Sequence, residues 1–291
     1  MSKMKSAQRK RLGWTASVRS KNTGPGMVRR TAAITVATGT ILGALVAAAP
    51  ANAATGSTGH DVEQSRMIGD TKITSVHRAA LARKDAAAAV SFKGATALQC
   101  PDGDCSWLST GLVQQAQETA GYCGPATLSE MVSLRTSLSQ RNAATALGYN
   151  GNGTDWSRRV NGVTRYPMAD ALDRYLGPYG ANYEAVSLGG SISSGETADY
   201  KRRLQANTRN NWAIAGDVHE RSGGERLAGH PNREIWHWIA IKGYGDWGNQ
   251  THYADSASGA RSISWSGNVP RYSFIESGKL LRLMADRGYV W

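Results

Sequence analysis

Cysteine is scarce, with only Cys100, Cys105 and Cys123 in the chain. Three thiols exclude a disulfide-framework mini-protein and allow at most one internal bridge, leaving at least one unpaired. The common zinc patterns are absent as well. The cysteines do not make a C-x-x-C pair, and the histidines (His60, His77, His219, His230, His237, His252) show no H-x-x-x-H spacing. No metal or other cofactor is expected. Phenylalanine is rarer still, at two residues in a chain that is 41% hydrophobic, so the core must rely on Trp, Tyr, Leu, Ile and Val. Acid is missing from the first 53 positions, which hold nine of the 34 basic residues; the remainder carries 25 basic against 22 acidic residues. The formal charge of +12 therefore belongs to the N-terminus. No basic stripe with interleaved aromatics is present in the body, which argues against a nucleic-acid partner.

The N-terminus has the layout of a secretory signal. Arg29 and Arg30 precede an apolar run over residues 31–50, and Ala51-Asn52-Ala53 forms an A-x-A-like cleavage site. Residues 1–53 are read as a signal peptide cut after Ala53, with Met27 as a possible true start. The competing reading is an uncleaved anchor, since the run approaches the roughly 20 residues needed to span a bilayer. No second apolar run of that length occurs. A secreted, monomeric product without stable membrane insertion is expected.

Residues 54–97 contain few large apolar side chains and the linker-like TGSTG at 55–59. They read as a flexible spacer or short pro-segment, with a mildly helical piece at 76–90. The main domain is expected over 98–291. Apolar spacing predicts helices near 124–136, 140–147, 168–176 and 197–207 and within 277–288, and strand-like runs at 212–218, 235–243 and 251–255. Helices followed by strands indicate an α+β domain.

The stretch QQAQETAGYCGPATL at 114–128 carries the chemistry. CPDGDC at 100–105 surrounds a tight-turn sequence and suits a Cys100–Cys105 bridge, although a bridge to Cys123 or none at all is also compatible with three thiols. Cys123 stands at the start of an amphipathic helix, where unpaired N–H groups and the helix dipole favour a thiolate. A thiolate nucleophile needs a histidine to exchange its proton, a third group to orient that histidine and a donor for the oxyanion. His237 lies in the strand-like EIWHWIAIKGYG, and a hairpin through 243–250 would bring Asp255 beside it. Gln117, six residues before Cys123, can supply an amide. His219 and His252 are weaker alternatives to His237. His230, in the loop AGHPN, reads as exposed, and Asp246, a rival to Asp255, reads as hairpin tip.

CGPATLSEMVSL at 123–134 resembles the CGPxSLxMVL-type signature of the bacteriocin-processing, double-glycine-type peptidase family in its stand-alone branch. That family is similar to the papain-like cysteine peptidases. The resemblance extends over roughly residues 114–256 and includes HWIAIKGY around His237. It implies a papain-like fold, with the nucleophile at a helix N-terminus packed on a C-terminal antiparallel sheet. It also implies a catalytic set of Cys123, His237, Asp255 and Gln117 acting on a peptide or protein substrate. A cell-wall amidase or an acyl or peptidyl transferase could use the same site, and an inactive binding protein could use the same scaffold. GDCSWL at 103–108 looks superficially like the nucleophile motif of NlpC-type cell-wall peptidases, but Trp107 stands where that motif has glycine.

Overall fold

The computed structural model describes residues 75–92, 98–100, 103–108, 112–151 and 153–291. The expected signal peptide, its cut after Ala53 and the 55–59 linker lie outside the described residues, as does the side chain of Cys100 on which the expected bridge depends. Among the described residues no helix is long and apolar enough to cross a membrane.

The first elements are α1 (Ser75–Phe92), β1 (Leu98–Cys100), β2 (Gly103–Trp107), α2 (Cys123–Val132) and α3 (Gln140–Leu147). A small ribbon, β3 (Arg158–Val160) with β4 (Val163–Arg165), leads to α4 (Pro167–Leu176) and β5 (Ala185–Ser187). The C-terminal part comprises α5 (Ser194–Arg209), β6 (Ile214–Glu220), β7 (Ile235–Gly245), β8 (Gln250–Ala254), β9 (Tyr272–Glu276), α6 (Ser277–Leu283) and β10 (Gly288–Val290). The fold class is α+β, as expected from the order of elements.

One eight-stranded antiparallel sheet organises the domain, and β7 is its long central strand. It pairs with β6 along Ile235–Ile241, with β2 at Gly243 and Tyr244, and with β8 from Ala240 to Gly245. Beyond these, β10 and β5 extend the sheet past β6, and β9 pairs with β8. Side chains alternate across a strand, so β7 serves two cores. Trp238 and Ala240 join Leu128, Met131, Leu147, Trp156, Met168 and Leu172 from the side of α2, α3 and α4. Ile239 and Ile241 join Tyr200, Leu204, Tyr253, Leu280 and Tyr289 on the side of α5 and α6. The aromatic volume comes from Trp and Tyr, which compensates for the scarcity of Phe.

Local chemistry explains where the elements depart from their expected bounds. α2 stops at Val132, short of residue 136. The Ser133 hydroxyl donates to the Glu130 carbonyl at 2.6 Å, and Arg135 and Thr136 both turn back onto the Val132 carbonyl. Such side-chain bonds compete with helix propagation. α5 starts three residues before the expected 197, because Ser193 and Glu196 form a reciprocal capping box.

Within the stretch read as a flexible spacer, residues 75–92 form α1, which is docked on the domain. Asp85 accepts two bonds from Arg203 at 2.8 and 2.7 Å, His77 lies 2.6 Å from the Ala185 carbonyl, and Lys84 donates to the carbonyls of Asn182 and Trp291.

Candidate active site

Cys123 is the first residue of α2, fully buried, and forms no disulfide. Tyr122 precedes the helix without a capping side-chain bond, so no carboxylate or hydroxyl from that position competes for the positive end of the dipole. Gly124 has to be glycine. A Cβ there would lie 2.2 Å from Thr154 Oγ1, and the close approach lets the segment at Thr154 pass beside the start of the helix. That segment is fixed in turn by Trp238 Nε1, which donates to the Thr154 carbonyl at 3.3 Å.

His237 lies on β7 opposite Val218 of β6 and is fully buried. α2 packs against β7, and Cys123 shares a core with Trp238, Ala240 and Ala254. His237 Nε2 lies 2.8 Å from Asp255 Oδ1, whereas its Nδ1 is buried and has no hydrogen-bond partner among the described residues. The expected hairpin is present. β7 turns through Asp246–Gly248 into β8, and Asp255 follows the last residue of β8. Asp246 sits in the turn, as expected, where it accepts from Asn249 Nδ2 at 3.1 Å.

Asp255 is fully buried and uses both oxygens. Oδ1 also accepts the Ala257 backbone N–H at 2.9 Å, and Oδ2 lies 3.0 Å from Nε2 of His230. Burial alone would raise the Asp255 pKa. The charges and hydrogen bonds of His237 and His230 outweigh that term and hold the carboxyl well below the usual carboxylate range.

His230 therefore corrects an expectation, because it is buried rather than exposed. The β6–β7 connection folds inward. Leu227 N donates to Glu220 Oε1 at 2.8 Å, and Ala228 N donates to the Tyr253 hydroxyl at 3.1 Å. Gly229 has φ +79° and passes so close to Asn268 that a Cβ would lie 2.1 Å from its carbonyl oxygen. His230 Nδ1 then lies 2.9 Å from Glu220 Oε1. Nothing in the loop's polar sequence announced this. The readable signal was Glu220 at the end of a strand that buries every residue.

Gln117 is buried beside the site, with both amide hydrogens directed to the carbonyls of Thr119 and Ala120, each at 2.8 Å. Its Oε1 accepts from Ser256 Oγ at 3.3 Å, and its backbone N–H donates to the Ser256 carbonyl at 2.9 Å. The structure thus ties Gln117 to the segment after Asp255, with its amide closing a turn. Three further residues that the sequence reading left unassigned hold this loop. Glu130 Oε1 accepts from Gln115 N at 2.7 Å, and Gln140 bonds Glu118 N and the Ala116 carbonyl, each at 2.9 Å. Gln114 Nε2 donates to the carbonyls of Asp255 and Ser258. A single acid within the otherwise uncharged CGPATLSEMV helix could have flagged Glu130.

The other histidines have their own partners. His219 stacks on Trp236 and meets Glu234 at 2.9 Å. His252 stacks on Phe274, and burial together with the Lys242 charge lowers its pKa to about 4. Cys105 lies on β2 opposite Leu98, not at a helix start. His230, His237 and Asp255 are the donor types a cation would use. Their ligand atoms lie within 4.8 Å of one another, and as arranged Nε2 of each imidazole lies at hydrogen-bond distance from an Asp255 oxygen, at 2.8 and 3.0 Å.

Comparison with known families matches residues 110–274 to the model of the Peptidase_C39 like family. No curated protein is significantly similar to the chain.

Proposed function

The chain belongs to the Peptidase_C39 like family, and on that premise we propose that it is a cysteine peptidase that hydrolyses peptide bonds through Cys123, His237 and Asp255. One observation carries the assignment of roles. His237 has its Nε2 on Asp255 and a buried, unpartnered Nδ1, on a strand packed against the helix that begins at Cys123, which forms no disulfide. Nδ1 of His219 and His252 is buried without a partner as well, so what singles out His237 is the combination of a buried carboxylate on its other nitrogen and a strand packed against α2.

In this reading Nδ1 takes the Cys123 proton. The thiolate attacks the scissile carbonyl carbon, forming a C–S bond and a tetrahedral oxyanion. The imidazolium delivers its proton to the departing nitrogen as the C–N bond breaks, leaving a thioester. Water then attacks the thioester and gives a proton to His237, which returns it to the sulfur as the C–S bond breaks. Asp255 keeps the imidazole in register and balances its charge. The Cys123 backbone N–H faces the oxyanion, and Gln117 reaches it by exchanging one of its two turn bonds. Cys123 and His237 are both covered, so substrate entry needs a local opening.

The test is hydrolysis of an unfolded protein such as reduced, alkylated casein. Cys123→Ala should abolish it while leaving the thermal transition of the protein in place. Full hydrolysis by that variant would overturn the reading.

A further inference from the structure

The reaction as drawn uses one oxygen of Asp255 and leaves the other unexplained. That second oxygen meets His230 Nε2 at 3.0 Å, and the other nitrogen of His230 meets Glu220 at 2.9 Å. Four buried groups thus form one chain: His237, Asp255, His230, Glu220. The two imidazole rings lie 5.4 Å apart with the carboxylate bridging them. Trp265 covers His230 edge-on at 4.7 Å and closes the cluster from outside.

We infer that His230, anchored by Glu220, is a positioning residue for the Cys123–His237 pair and acts through the second oxygen of Asp255. This rests on the reading of Cys123, His237 and Asp255 as the catalytic set. The geometry gives His230 two effects. It pins the carboxylate against rotation, because a donor occupies each oxygen. It also places a positive charge on the far side of Asp255, which offsets part of the negative potential that His237 feels. Burial opposes that charge, but Asp255 and then Glu220 outweigh it and raise the His230 pKa to about 9, so the imidazolium persists through neutral pH. The charged and titratable groups around it are Glu220 from β6, His237 from β7, Asp255 and Tyr253 from β8 and its end, and Arg233 beyond the Trp265 ring. Glu130 of α2 also feels Asp255, and burial raises its pKa well above the usual value.

A merely structural imidazole would alter stability alone. A charge acting through Asp255 makes a signed prediction about protons elsewhere. A positive neighbour makes a proton easier to remove from Cys123 or His237, and a negative one makes it harder. The probe is alkylation of Cys123 by iodoacetamide, followed by intact mass against pH. His230→Gln should move the pH of half-maximal rate upward by about one unit. Glu220→Gln should move it downward, and the double variant should return toward the wild-type profile. Circular dichroism and a cooperative thermal transition establish that each variant is folded. If His230→Gln does not fold, Glu220→Gln decides alone: a downward shift supports the inference, and a wild-type profile overturns it. Folded variants whose profiles superimpose on a wild type that retains a low-pH reactive thiol overturn the role of His230 and leave the peptidase reading intact. A wild-type Cys123 that titrates as an ordinary thiol near pH 8.5 overturns both.

Discussion

Glu130 takes no part in the proposed reaction but anchors the segment before Cys123. It sits in a helix whose residues are all buried, and its Oε1 takes the Gln115 backbone N–H at 2.7 Å. Burial raises its pKa well above the usual value, which favours the neutral carboxylic acid. The acceptor matters here and the charge does not. Glu130→Gln should therefore remain within about 1 kcal/mol of wild type, because the amide oxygen can still accept. Glu130→Leu leaves the part-buried Gln115 N–H without its partner, and urea denaturation should show a loss of about 1–3 kcal/mol. Equal stabilities for the two variants would remove Glu130 from this role. Legibility divides the site residues along the same line. The placement of Cys123, His237 and Asp255 was readable because each stands in a strong local context: a helix start, an aromatic strand, and the strand after its hairpin. His230 and Glu130 were not, because their partners lie 25 and 15 residues away and no local pattern encodes such pairings. For Gln117 the sequence suggested an amide beside the cysteine, and only the turn geometry shows where its hydrogens go.

Among elements, α1 carries the clearest discrepancy between local sequence and packing. Its alanine-rich sequence favours helix but lacks a broad apolar stripe, and only Leu81 and Ala88 pack against the core cluster. The helix is held mainly by polar anchors. Arg203, itself mostly buried, donates twice to Asp85 and once to the Tyr289 hydroxyl at 2.8 Å. Asp85→Asn preserves shape and removes the partner charge, leaving a cation in a desolvated site. Its expected effect is a loss of about 1–3 kcal/mol, together with faster proteolysis within 75–92. An unchanged melting curve and cleavage pattern would show that α1 is held by other contacts. Other elements follow the same logic. α3 forms over 140–147 as its spacing predicts, whereas β5, β9 and β10 have no counterpart in the sequence pattern. Strands of three to five residues carry little periodicity, and their existence depends on long-range pairs such as Tyr289 with Val186 and with Gly216.

For the molecule as a whole, the sheet joins two proton-linked sites that oppose each other. His230 has its pKa raised from an ordinary 6.5 to about 9: burial alone would lower it, but the Asp255 and Glu220 contacts more than compensate. It contributes stability that is fully present below pH 6.5 and is lost as pH rises through 9, because the folded state holds a proton the unfolded chain releases. Lys84 behaves in the opposite sense. Burial lowers its pKa from 10.5 to about 7, only partly offset by Asp173, Glu184 and Asp85. Between those values the unfolded chain binds the proton and the folded state does not, so its contribution rises with pH. From pH 7 to 9 the two slopes have opposite sign, each about 1.4 kcal/mol per pH unit, and they largely cancel. Single substitutions should separate them. The stability difference between wild type and His230→Gln, measured by urea denaturation, should shrink as pH rises from 7 to 9, and that between wild type and Lys84→Met should shift in favour of wild type. Parallel pH dependences for the three proteins would mean that neither group is coupled to folding as its surroundings require. Neither site is visible in a net charge of +12, since both arise from burial and partner geometry.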